Sequence, residues 1–292
     1  MHPDPLTVRD ACRRFRDQHD ASPARLELLD AMLARACAMF GGEPVEHLTA
    51  STLAEWRASM PAATRWQATQ ALKQVTAWAL RWELVASDPL ARIANPRPRR
   101  AEASPFDSWQ QVLDVADRLP HHLRLLPIIG AGCGLRPGEL LGLDWHSIDL
   151  ERGELRVRAS VWRRELRTSL KTMRSRRVVP LRGRVARELE QAWPVGGAGL
   201  VFAGRAGTPL DLHNVRGRAW HPALAEAGID PPRRIYDLRH TYATWSLRAG
   251  VGIYQLARRM GTSVDMIDAT YGHLAADAGD HERRLLDAWD DR

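Results

Sequence analysis

Between residues 26 and 40 apolar side chains fall three or four positions apart, at Leu29, Met32, Leu33, Ala36 and Phe40, and Gly41-Gly42 closes the run. That spacing places them on one face of an α-helix, and paired glycines are where such a helix stops. Thr49 or Ser51 can cap a short helix through Trp56, because a hydroxyl accepts from the unpaired amides of a first turn. A longer helix follows, with Leu72, Val75, Ala79 and Trp82 on one face and Asp88-Pro89 closing it. Residues 1–94 therefore read as a small all-helical unit. The next segment, NPRPRRAEASP at 95–105, mixes three prolines and three arginines with small residues. Such a composition extends the chain and resists packing, so the domain boundary is expected there.

Beyond it the pattern predicts helices over residues 109–119 and 123–129, then a short β region. Leu155, Val157, Ala159 and Val161 alternate with Arg156, Arg158, Ser160 and Trp162, the period of a half-buried strand, and a return strand is expected over 177–181. A basic loop lies between the two. From Val185 the helical pattern returns to the end, with no internal repeat. The fold class is mainly α with a small antiparallel β-sheet.

Composition narrows the picture. The chain has 292 residues, 45% hydrophobic and 26% charged, the balance of a folded protein with a sizeable core. A formal net charge of +7 favours a polyanionic partner such as nucleic acid, and charge alone does not separate DNA from RNA or an acidic surface. Cys12, Cys37 and Cys133 are odd in number, far apart and without C-x-x-C spacing, which argues against a disulfide framework or a zinc site and fits a reducing cytoplasm. The N-terminus has no apolar signal core and no stretch is long enough for a membrane span, so a soluble, cytoplasmic protein without membrane contact is expected.

Of 42 Lys plus Arg, only Lys73 and Lys171 are lysines, and Lys171 stands in the most basic segment, SLKTMRSRR. Arginine would suit phosphate at least as well. Lysine differs in a pKa low enough for its proton to leave, which points to proton transfer. Arg136 precedes Pro137, so it should stand extended at the mouth of a short helix, where amides and guanidinium together form an anion site. The plainer alternative is that Arg136 pairs with Glu139. In PPRRIYDLRHTYATWSLRAG, Asp237 is a plausible N-cap, placing Arg239 and His240 in a first helical turn. All four tyrosines, Tyr236, Tyr242, Tyr254 and Tyr271, fall in the last fifth of the chain. Tyr242 and Tyr254 sit in apolar helical patterns and read as core. Tyr271 has small and polar neighbours that leave its hydroxyl free to enter a site, and a phenol can attack phosphorus where cations stabilise the phenolate.

The segments GCGLRPGELLGLDW, LKTMRSRRVVPL, YDLRHTYAT and MGTSVDMIDATYGHL resemble, in order and spacing, the catalytic boxes of the tyrosine recombinases, the phage integrase family. EPVEHLTASTLAEW and AWALRWELVASDPL resemble its helical core-binding domain, so the likeness covers nearly the whole chain. It implies a two-domain DNA clamp: a core-binding domain at 1–94, a linker at 95–105 and an α+β catalytic domain at 106–292 with a C-terminal helix. The residues before Ala24 are too few for an arm-binding domain, so the simple form is expected. By the resemblance Arg136 is the first catalytic arginine, Lys171 the hairpin lysine, Arg239 the second arginine and Tyr271 the nucleophile. It also implies double-stranded DNA with paired recombination sites, a homo-tetramer assembled on that DNA, and no metal, ATP or other cofactor. The stripe Leu285, Leu286 and Trp289 would either pack on its own domain or dock on a neighbouring protomer.

The chemistry follows from these roles. Arg136 and Arg239 would clamp the nonbridging oxygens, Tyr271 would attack to leave a 3′-phosphotyrosyl link, and Lys171 would protonate the departing 5′ oxygen. Two positions depart from the family. Tyr236 and Thr262 stand where it usually has histidine and histidine or tryptophan. Tyr236 could donate to phosphate but is a poor base, with an ordinary pKa of about 10; His240 or His273 are candidates to compensate. Two alternatives are a catalytically retired DNA-binding regulator or architectural partner and a type IB topoisomerase-like enzyme. In each case Arg163, Arg164, Arg174, Arg176 and Arg177, with the linker residues Arg97, Arg99 and Arg100, would neutralise DNA phosphates.

Overall fold

The computed structural model describes residues 5–98, 102–168, 176–272 and 279–290. The chain forms two compact units, Met1–Ala101 and Glu102–Arg292, which divide inside the segment that reads as a linker.

The first unit is helical: α1 (Val8–Asp17), α2 (Pro23–Phe40), α3 (Ala50–Ser59) and α4 (Ala62–Arg81). Thr49 caps α3, its hydroxyl accepting from the Thr52 amide at 3.2 Å while the Thr49 amide donates to Thr52 Oγ1. Phe15, Leu33, Phe40, Trp56, Leu72 and Val75 join one core. Trp82 does not share the α4 stripe expected for it. The helix ends at Arg81, Glu83 turns to φ 55°, and Trp82 is left 61% exposed while Trp78, a turn earlier, is buried. Asn95 is tied to this unit, accepting from Arg57 Nη1 at 2.7 Å and from Trp66 Nε1 at 3.1 Å through its side chain and carbonyl respectively. Lys73, the second lysine of the chain, donates to the Ile93 carbonyl.

In the second unit α5 (Trp109–Ala116) is capped by Ser108, and α6 (Leu125–Cys133) is buried along its whole length, as its uniformly apolar sequence requires. After α7 (Pro137–Leu141) come β1 (Ile148–Asp149), β2 (Glu154–Val157), β3 (Ser160–Trp162), β4 (Glu165–Arg167) and β5 (Arg177–Pro180). β1, β2 and β5 form an antiparallel sheet in that order, with Leu155 opposite Val179 and Val157 opposite Arg177. The single long strand expected over 155–162 is two. Past Val157 the chain leaves the sheet because β3 packs on α7: a Cβ at Gly142 would lie 2.9 Å from the Ser160 Cα. β3 then pairs with β4 through a two-residue turn whose residues, Arg163 and Arg164, have φ 48° and 66°.

Helices follow: α8 (Gly183–Gln191), α9 (Leu212–Val215), a π-helical turn at Arg216–Trp220, α10 (His221–Glu226), α11 (Asp237–Arg248), α12 (Ile253–Met260), α13 (Val264–Tyr271) and α14 (Gly279–Asp290). The main core gathers Phe106, Leu126, Ile129, Leu141, Trp220 and Leu238, and a second cluster binds α11, α12 and α13 through Tyr242, Leu256, Met260, Ile267 and Tyr271. Among the described residues no helix is long and apolar enough to cross a membrane. On α14, Leu286 is 58% and Trp289 68% exposed.

Candidate active site

α6 closes on Gly134 at φ 65°, and α11 crosses so near that a Cβ there would stand 2.3 Å from the Tyr242 ring. This turn brings Arg136 to the mouth of α7, extended at φ −68° and ψ 150° as a residue before proline should be. Arg136 does pair with Glu139. Its amide donates to Oε2 and its Nη1 to Oε1, both at 2.8 Å, while Nη2 donates to the Gly261 carbonyl at 2.6 Å. The pairing and the anion-site reading are compatible, because a guanidinium has five donors.

Glu139 is buried and serves a second arginine. Arg177, at the start of β5, donates Nη1 to Oε1 at 3.0 Å and Nη2 to Oε2 at 2.7 Å, and its Nε to the Arg259 carbonyl at 2.6 Å. Burial alone would raise the Glu139 carboxyl, but hydrogen bonds and charge from Arg177, with help from Arg136, hold it below its ordinary value. Arg177 was expected among the DNA-contacting arginines. Its side chain is only 5% exposed and three of its donors bond Glu139 and the Arg259 carbonyl, contacts that make it part of the framework of the site.

Arg239 comes from the first turn of α11. It is buried, donating Nη1 to the Gly134 carbonyl at 2.7 Å and Nη2 to the Met260 carbonyl at 2.8 Å. Burial, and the charges of Arg136 and Arg177, bring its pKa down to about 10, which leaves it charged at neutral pH. Asp237 is the first helical residue and not the cap: its carboxylate reaches back to the Arg234 amide at 2.7 Å and to the Arg234 guanidinium.

Tyr271, the last residue of α13, is 5% exposed, and its hydroxyl is not free as its neighbours in the chain suggest. It is hydrogen-bonded to His240 Nδ1. Burial pushes the Tyr271 phenol above its ordinary value, against the pull of Arg239. Burial also lowers the His240 pKa, outweighing Asp237, so the imidazole is neutral at neutral pH and has one nitrogen able to accept a proton. Tyr236, half in solvent, stacks edge-on against His240 with ring centroids 5.2 Å apart. Thr262 follows Gly261 and lines a groove of about 930 Å³ with Arg176, Arg258, Arg259 and Ser263. Tyr254 lies at the same groove and is 65% exposed, so it is not the core residue that its helical pattern suggests. Tyr242 is core.

Four of the expected residues, Arg136, Arg239, His240 and Tyr271, thus meet where α6, α11, α12 and α13 converge. Lys171, Arg174, His273, Arg99 and Arg100 lie outside the described residues. Arg163, Arg164, Arg176 and Arg97 are exposed; Arg163 and Arg97 rest 4.9 Å and 5.6 Å from the ring centroids of Trp162 and Trp66. Glu139 is the site residue that its sequence context underplays. A readable signal existed, an acidic residue three positions after the residue that opens a helix. Among the described residues no three His, Cys, Asp or Glu side chains gather as metal ligands would.

The phage integrase family model matches residues 105–277. The chain is 29% identical over 257 residues to the tyrosine recombinase XerC of Mycobacterium tuberculosis, covering 80% of this chain and 82% of that one. Its fold is similar to that of the Tn1549 transposon integrase in complex with a circular intermediate DNA, at TM-score 0.77 and 17% identity, over 96% of this chain and 99% of the other. It is similar also to a lambda integrase tetramer bound to a Holliday junction, at TM-score 0.71 and 17% identity, over 88% of this chain and 78% of the other.

Proposed function

This chain belongs to the phage integrase family, and on that premise we propose that it is a site-specific DNA recombinase that breaks and rejoins duplex DNA through a 3′-phosphotyrosyl link at Tyr271. The observation that carries the assignment of roles is the Tyr271 hydroxyl hydrogen-bonded to His240, within electrostatic reach of Arg239. A buried phenol is a weak nucleophile until its proton leaves, and His240 is placed to take that proton as the oxygen attacks phosphorus. Arg136 and Arg239 then hold the nonbridging oxygens as charge builds on them. The bond to the 5′ oxygen breaks and Lys171 supplies the proton that oxygen needs. The link keeps the energy of the phosphodiester, so a 5′ hydroxyl from another strand can reverse each step. Tyr236, at the edge of the site, is suited to donate to the phosphate, and Thr262 offers a smaller donor nearby.

The first unit is read as the core-binding domain, with 95–105 as linker and the second unit as catalytic domain. Exposed Arg97, Arg163, Arg164 and Arg176 are the described side chains read as phosphate contacts. Exchange between two sites needs several protomers, and the lambda integrase tetramer on a junction supports a homo-tetramer on paired sites. The exposed Leu286 and Trp289 of α14 are read as a contact with a neighbouring protomer. Action on cellular DNA is read as placing the protein's work in the cytoplasm.

The test is a denaturing gel for a covalent protein–DNA adduct, formed without metal or ATP on DNA flanking the protein's own gene. An adduct from the native chain that is lost in Tyr271→Phe and slowed in Lys171→Arg supports the assignment. Specific binding with no adduct under any condition overturns it.

A further inference from the structure

On the reading that Arg136 and Arg239 hold the scissile phosphate, we infer that Arg177 is a positioning residue, which neutralises Glu139 so that Arg136 remains available to the phosphate. The frame is the C-terminal end of α12. The Gly261 amide bonds the Arg258 carbonyl at 3.2 Å and the Thr262 amide the Ala257 carbonyl at 3.0 Å, with Gly261 at φ 63°. The next three carbonyls, of Arg259, Met260 and Gly261, have no helical partner. Each accepts from a different arginine: Arg177 Nε, Arg239 Nη2 and Arg136 Nη2, at 2.6, 2.8 and 2.6 Å. The negative end of a helix dipole favours cations, so this end of α12 gathers guanidiniums delivered by β5, α11 and the turn before α7.

Three guanidiniums meet there with one carboxylate, and how Glu139 is shared decides what Arg136 can do. Arg177 occupies both carboxylate oxygens side-on, the stronger, two-bond geometry. Arg136 reaches the same carboxylate with only one guanidinium nitrogen, Nη1. Remove Arg177 and the buried carboxylate has a single guanidinium to neutralise it. Arg136 would then fold over Glu139 with both terminal nitrogens, turning its fork away from the phosphate it is read to hold. Arg177 needs no contact with DNA for this role, and its burial on β5 suits it.

The test uses the full chain in three forms: native, Arg177→Met, and Arg177→Met combined with Glu139→Gln. Arg177→Met should slow single-turnover adduct formation about 100-fold, the usual effect of displacing a catalytic group by an ångström. Affinity for the same DNA should hardly change. Removing the Glu139 charge as well should restore the rate by about tenfold, because the capture of Arg136 requires that charge. A second readout needs no catalysis. Nitrogen-15 NMR of the arginine side chains without DNA, with Arg136 assigned through Arg136→Lys, should show the Arg136 guanidinium more rotationally locked in Arg177→Met and released in the double variant. Equal loss of rate in both variants, in step with Tm, or Arg136 signals that do not move, would show Arg177 to be a structural residue only. If the native chain forms no adduct the recombinase assignment fails, and the NMR comparison still decides the positioning role.

Discussion

Glu139→Ala is the perturbation whose cost the structure fixes most closely. Side chains of Glu139 and Arg177 are each 5% exposed, and the carboxylate accepts two bonds from Arg177 and two from Arg136. Removing one partner of a buried pair leaves the other charge unpaired, which costs about 3–5 kcal/mol. For a folding unit of this size that corresponds to a Tm lowered by roughly 6–20 °C. Calorimetry of the full chain carries its own control, because the first unit has a separate core and its transition should stay in place. Acid adds a sign. The folded-state pKa of Glu139 lies below its ordinary 4.5, so its contribution is present above that value and is lost as pH falls through the lowered pKa. The gap between native chain and Glu139→Ala should therefore narrow in strong acid. A loss under about 1 kcal/mol, the worth of an exposed pair, together with a gap independent of pH, would refute the buried three-way pairing.

Three further outcomes are expected. His240→Ala should lower the adduct rate by about 10²-fold or more, and the native rate should climb as pH rises through the lowered His240 pKa and then level, a rise that the variant lacks. Replacing Arg163-Arg164 with Asn-Gly should stabilise the second unit by about 1–3 kcal/mol, since both residues are held at positive φ, while reducing the salt slope of DNA binding by up to about 2. Gly134→Ala should destabilise the same unit, read by chemical denaturation, by more than the roughly 1–2 kcal/mol of left-handed strain, because its Cβ would also strike the Tyr242 ring.

Much of this was legible in the sequence because it depended on local pattern. The stripe of Leu29, Met32, Leu33, Ala36 and Phe40, the Thr49 cap and the extended Arg136 before Pro137 each follow from neighbours a few residues apart. What escaped depends on contacts distant in the chain. Arg177 looks like one more cation in a basic loop until β5 sets it beside Glu139, 38 positions earlier. Tyr254 sits in a helix of core-like spacing but faces a groove, and Tyr271 looks exposed among small neighbours until α11 brings His240 onto its hydroxyl. The break after Val157 comes from α7 packing on β3, which no alternation of strand residues reveals.

The central claim is that Tyr271 becomes joined to DNA. The most direct measurement is mass spectrometry of the adduct after nuclease and protease digestion, which identifies both the modified side chain and the DNA end attached to it. The account predicts a nucleotide linked through its 3′ phosphate to the Tyr271 oxygen, with a free 5′ hydroxyl on the other DNA fragment. A nucleotide carried on Tyr236 or another side chain, or a 5′-phosphate linkage, would contradict it.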